Sequence, residues 1–65
     1  MTLQLTVPNM ACSACADTIT QAVNAIDPAA EVNADPKTKQ VHINTQANEA
    51  TIREAITAAG YTVAE

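Results

Sequence analysis

Cys12 and Cys15, in the segment Pro8-Asn9-Met10-Ala11-Cys12-Ser13-Ala14-Cys15, are the only cysteines in the chain. Their two-residue spacer lets both sulfurs converge on one point. A free thiol has a pKa of about 8.5, and a helix N-terminus beside it lowers that value. Two soft thiolates suit a soft monovalent ion such as Cu(I), which accepts low coordination. Structural Zn(II) almost always takes four ligands. Two Cys and one His cannot complete an intramolecular Cys/His zinc site. An exposed, incomplete coordination sphere has a use. A partner's thiolate can attack the metal, form a three-coordinate intermediate and take the ion without its release to water. The same spacing also serves dithiol–disulfide exchange, which stays open at this point.

The elements around the pair follow from periodicity. Thr2 to Val7 alternates, with Leu3, Leu5 and Val7 on one side, and predicts a half-buried strand that Pro8 stops. Ser13 is the expected N-cap of a helix over about 13–26, with Cys15, Ile19, Ala22, Val23 and Ile26 as its apolar stripe. Asp27-Pro28 ends it. Ala30, Val32 and Ala34 mark the inward side of a weaker second strand, and Asp35-Pro36-Lys37-Thr38 a turn. Val41 and Ile43 mark a third strand. Asn48 caps a second helix carrying Ile52, Ala55, Ile56 and Ala59, with Gly60 as its C′ residue. Tyr61 to Val63 reads as a short last strand.

The order β-α-β-β-α-β, with one apolar face per element, predicts an α+β ferredoxin-like two-layer sandwich. In it both helices cover one face of a four-stranded antiparallel sheet. Residues 1–65 form a single domain in this reading. Chain direction then brings the Met10–Cys15 loop, the Asp35–Thr38 turn and Gly60-Tyr61 to one end. Tyr61 is the side chain expected to approach the cysteines from elsewhere in the chain.

A chain of 65 residues without Trp or Phe has little room for a substrate-enclosing pocket, so no enzyme is expected. The formal net charge of −4 argues against nucleic acid, which calls for a basic face. No signal peptide is visible, and no apolar run approaches the roughly 20 residues that span a bilayer. A cytoplasmic, free-standing protein with reduced thiols is expected.

Met10-Ala11-Cys12-Ser13-Ala14-Cys15 resembles the Met-x-Cys-x-x-Cys loop of heavy-metal-associated domains. These are small copper chaperones and the N-terminal metal-binding domains of copper-transporting P-type ATPases. The resemblance runs through nearly the whole chain, including Val32-x-Ala34-Asp35-x5-Val41-x-Ile43 and Gly60-Tyr61-x-Val63. It implies a copper metallochaperone that binds Cu(I) through Cys12 and Cys15. Transfer would be by ligand exchange to the metal-binding domain of a copper-transporting P-type ATPase. The apo form is expected to be a monomer, and exposed thiolates on two copies can share copper in a bridged dimer.

Departures from the family pattern are Asn9, where Gly is usual, and Ala11, where Thr is common. Asn tolerates unusual backbone angles, which would preserve the loop. Zinc-preferring relatives carry Asp at the Ala11 position, so Ala favours Cu(I). Tyr61 looks like the common bacterial form, a cover for the metal that tunes thiolate exposure.

Met10 is read as a buried anchor of the loop rather than a thioether ligand. Ala11, Ser13, Ala14 and Tyr61, with Asn9 and the outer side of the first helix, make the expected docking surface. His42 is expected on the open sheet face, and Lys37 and Lys39 on a solvated hairpin. The rival readings are a domain cut from such an ATPase and a thioredoxin-like oxidoreductase. The latter usually has Trp before its first Cys and Pro before its second; here both positions are Ala.

Overall fold

The computed structural model of the chain describes residues 2–64. β1 (Thr2–Thr6), α1 (Ser13–Ile26), β2 (Glu31–Asp35), β3 (Gln40–Asn44) and α2 (Glu49–Ala58) follow one another along it. The sheet order is β1-β3-β2, with β3 antiparallel to both neighbours. Leu3 and Leu5 lie opposite Ile43 and Val41, and Val32 and Ala34 flank the same two residues from β2. Because side chains alternate, this register sends Leu3, Leu5, Val41 and Ile43 into the core and leaves Gln4, Asn33 and His42 exposed.

Both helices cover the apolar face. α1 contributes Ala16, Ile19 and Val23, and α2 contributes Ile52 and Ile56, all buried with the sheet residues and with Val7 and Met10. Each buried Ile or Val supplies about 1.5–3 kcal/mol of transfer free energy. The expected α1 stripe is rotated slightly: Ala16 takes the place of Cys15 at its start, and Ile26, at 45% exposure, lies outside it.

α2 is capped as its sequence indicates. The Asn48 side chain accepts a hydrogen bond from the Thr51 N–H at 2.8 Å. At the other end Gly60 has φ +100°, and the Gly60 and Tyr61 N–H groups return to the carbonyls of Thr57 and Ile56. That is a Schellman ending, and it requires the left-handed conformation that glycine takes at low cost.

The expected fourth strand is absent among the described residues, which form a three-stranded sheet. The segment after Gly60 does lie beside β1, with Tyr61 and Val63 packed against the core and the Ala64 N–H bonded to the Thr6 carbonyl at 2.7 Å. The Thr62 N–H is diverted to the Asn9 side chain. β1 also ends at Thr6, one residue earlier than expected. One backbone bond to β1 remains among the described residues, which is not a ladder.

Candidate metal centre

The loop that carries the cysteines begins as a tight turn. The Met10 N–H bonds back to the Val7 carbonyl at 3.0 Å across Pro8-Asn9. Proline fixes φ at the second position of such a turn. Among the described residues Lys39 alone has a positive φ without being glycine, so Asn9 needs no unusual backbone angle. The expected reason for tolerating Asn there does not apply. Its side chain instead accepts the Thr62 N–H at 3.1 Å and ties the loop to the segment that carries Tyr61.

Met10 is fully buried among the core residues, and the chain then surfaces: Ala11, Cys12, Ser13 and Ala14 are all exposed. Cys12, not Ser13, is the N-cap of α1, with φ −153°, ψ 171° and no side-chain cap bond. Ser13 already lies inside the helix. The extended Cys12 backbone lets its carbonyl accept the Cys15 and Ala16 N–H groups at 3.0 and 3.2 Å. Its thiol stays outside the helix. Cys15 falls in the first turn, half-buried against the core.

The two sulfurs are 3.3 Å apart and both thiols are free. Tyr61 completes the arrangement. Hydrogen bonding from its hydroxyl is the largest of the influences that lower the Cys15 thiol to about 7. The Ala11 N–H, the Cys12 thiol and the Cys12 N–H add to it, against a smaller opposing effect of desolvation. The phenol responds in the opposite sense. Its pKa is raised, first because ionisation would forfeit the bond to Cys15, then through desolvation and the nearby thiolate charge. Near pH 7 a substantial share of Cys15 is thus already thiolate.

Among the described residues no cluster of three or more Cys, His, Asp or Glu side chains is placed to hold a metal ion. A cation at this loop has two sulfur donors from the protein and is open on the solvent side. The donor set fits a soft ion of low coordination number and does not fit a closed tetrahedral zinc site. His42 is exposed on strand β3, paired between Gln4 and Asn33, and takes no part.

Lys39 is the residue that sequence reasoning missed. Its ammonium donates to the Met10 carbonyl at 2.7 Å, from 29 positions away. No local motif signals this contact, which depends on how the hairpin and the loop meet at one end of the sheet.

The described residues thus form a two-layer βαββα domain with a free Cys-x-x-Cys pair at the entry to its first helix. Residues 4–62 match the model of the heavy-metal-associated domain, and the chain belongs to that family. Among solved structures it is similar to the copper chaperone Atx1 from Synechocystis PCC6803 in a trimeric form, with 45% identity, TM-score 0.93 and coverage of 95% of this chain and 98% of that one. A cyanobacterial copper metallochaperone solved in solution is 45% identical, with TM-score 0.82 and coverage of 98% and 100%. A gold-binding protein is 30% identical over 92% of each chain, with TM-score 0.89. A search of curated protein sequences gives no significant match. The copper-chaperone relatives are metallochaperones, which carry an ion and are not enzymes.

Proposed function

We propose that this chain is a single-domain cytoplasmic copper chaperone that holds one Cu(I) between Cys12 and Cys15. It passes the ion to a metal-binding domain of a copper-transporting P-type ATPase. The observation that carries this reading is the sulfur pair itself: 3.3 Å apart, solvent-facing at Cys12, with Cys15 lowered to about 7 by Tyr61. Similarity to copper chaperones supports it. Among the described residues no helix is long and apolar enough to cross a membrane, in keeping with a diffusing carrier.

Transfer proceeds by ligand exchange. A deprotonated cysteine of the acceptor adds to the ion from the exposed Cys12 side, giving three sulfur ligands. The bonds to Cys12 and Cys15 then break in turn as a second acceptor thiolate binds, and each released sulfur regains the proton it lost on loading. Oxidation states do not change. Met10 anchors the loop from below. Asn9, Ala11, Ser13, Ala14, the outer side of α1 and Tyr61 form the surface that meets the acceptor. Asp17 is the one formal charge on that part of α1, so the complex is small, transient and only weakly steered by charge. The same exposed thiolates let two copies share copper, whereas the apo chain stays monomeric.

The test is to mix the Cu(I)-loaded protein, without oxygen, with an apo metal-binding domain of such an ATPase. Copper reaching the acceptor far faster than it escapes to a soluble chelator supports direct exchange. Equal rates would mean that the ion is simply released, and the chaperone reading would fail.

A further inference from the structure

Lys39 occupies an odd position for its residue type. It closes the β2–β3 hairpin with φ +66°, a left-handed conformation that favours glycine or asparagine over a side chain such as lysine. The hairpin itself is well satisfied. The Lys39 N–H bonds the Asp35 carbonyl at 2.9 Å, and the Asp35 carboxylate accepts the Lys37 N–H at 2.9 Å. Neither bond uses the lysine side chain.

Two further bonds of the same residue point at the metal loop. The Lys39 carbonyl accepts the Val7 N–H at 2.8 Å, and the Lys39 ammonium donates to the Met10 carbonyl at 2.7 Å. Val7 and Met10 are the two ends of the Pro8-Asn9 turn, which their own 3.0 Å hydrogen bond closes. Lys39 therefore grips both ends of the turn from which Ala11 and Cys12 emerge. Met10 is buried, so its carbonyl would lose a charge-assisted partner if the ammonium were removed.

We propose that Lys39 is a positioning residue for the thiolate loop, fixing the Val7–Met10 turn so that Cys12 is held in register with Cys15. The proposal rests on the reading of the two cysteines as metal ligands for its functional consequence, and on hydrogen bonding alone for its structural one. A rigid loop preserves the sulfur arrangement in the free protein, so less ordering is required when the ion binds. The left-handed backbone places the lysine, and the clamp gives the side chain a use at a position where glycine would fit more easily.

Lys39→Gly separates the two roles, because it relieves the backbone while deleting the ammonium. Three proteins are compared: the unaltered chain, Lys39→Gly and Lys39→Arg. Amide hydrogen exchange is read at Met10, Cys15 and Ala16 in the apo form, with Val41 and Ile43 as controls. Cu(I) affinity is read by chelator competition. The clamp predicts that Lys39→Gly keeps its melting temperature and its control amides. Its loop amides should exchange at least tenfold faster and its Cu(I) affinity should fall several-fold, with Lys39→Arg restoring both. Loop exchange at the unaltered rate in a folded Lys39→Gly protein would overturn the proposal. If the unaltered chain failed to bind Cu(I), the copper reading would fall, and the exchange comparison would still decide the clamp.

Discussion

The Tyr61 hydroxyl is the largest of the influences that lower the Cys15 thiol, and the chain brings the two residues together by ending α2 at Gly60. The Schellman ending turns the backbone sharply, so the residue after glycine leaves the helix pointing at the first turn of α1. Tyr61 thus packs against the core and also lowers the Cys15 thiol to about 7.

Tyr61→Phe removes that donor while keeping the ring. The Cys15 titration midpoint should rise toward that of an ordinary thiol, and its thiolate fraction at pH 7 should fall several-fold. Thiolate absorbance against pH, or the rate of alkylation, reads this directly. An unchanged midpoint would show that the backbone N–H groups suffice without the phenol.

The same shift makes apo stability depend on pH. A lowered Cys15 pKa means that, between about 7 and the ordinary thiol range near about 8.5, the unfolded chain binds more protons than the folded one. Stability should therefore rise with pH across that window and be lost as pH falls through 7. Denaturation midpoints of the reduced apo protein at pH 6 and pH 9 should show the rise. Cys15→Ser should flatten it.

Asp27 organises the opposite end of the molecule. Its carboxylate accepts the Thr45 hydroxyl at 2.6 Å and the Ala29 and Gln46 N–H groups, with the Thr45 bond the main reason for its lowered pKa. A depressed carboxylate stabilises the fold above the ordinary carboxylate range and ceases to do so as pH falls through its folded value. Acid unfolding monitored by circular dichroism should begin at higher pH in Thr45→Val, whose side chain can no longer donate. Coincident acid transitions in the two proteins would contradict this.

Met10 distinguishes an anchor from a ligand. It is fully buried, so Met10→Ala should cost about 2–5 kcal/mol. A domain of 65 residues has roughly 3–10 kcal/mol to lose, so that variant should give up a large share of its stability and melt well below the unaltered chain. Met10→Leu keeps the volume and should cost less than about 1.5 kcal/mol. Cu(I) affinity should be unchanged in Met10→Leu. A large drop in the folded leucine variant would make the thioether a ligand.

The parts legible in the sequence are those governed by short-range patterns. Alternation marked β1 and β3, Asn48 marked the start of α2, and Gly60 marked its end because a left-handed residue there calls for glycine. The loops that meet at the cysteine end followed from chain direction, and the bonds from Lys39 and Thr62 join them as expected. What eluded the sequence depends on distant partners. Ser13 looks like a cap by residue type, yet Cys12 takes the extended cap conformation. Tyr61–Val63 has the alternation of a strand, but Asn9 captures the Thr62 N–H and no ladder forms among the described residues. Lys39 looks like a solvated hairpin lysine until the 2.7 Å bond to Met10 is seen. Thr45 is buried at 3% exposure only because Asp27, 18 positions earlier, takes its hydroxyl.

The most direct test of the central claim is an anaerobic competition titration of the reduced protein with Cu(I) against a chromophoric chelator. Zn(II) and the Cys12→Ser variant are run in parallel. The two-thiolate account predicts one Cu(I) per chain, held far more tightly than Zn(II), with tight binding lost in Cys12→Ser. A clear preference for Zn(II), or tight one-to-one Cu(I) binding that survives Cys12→Ser, would contradict it.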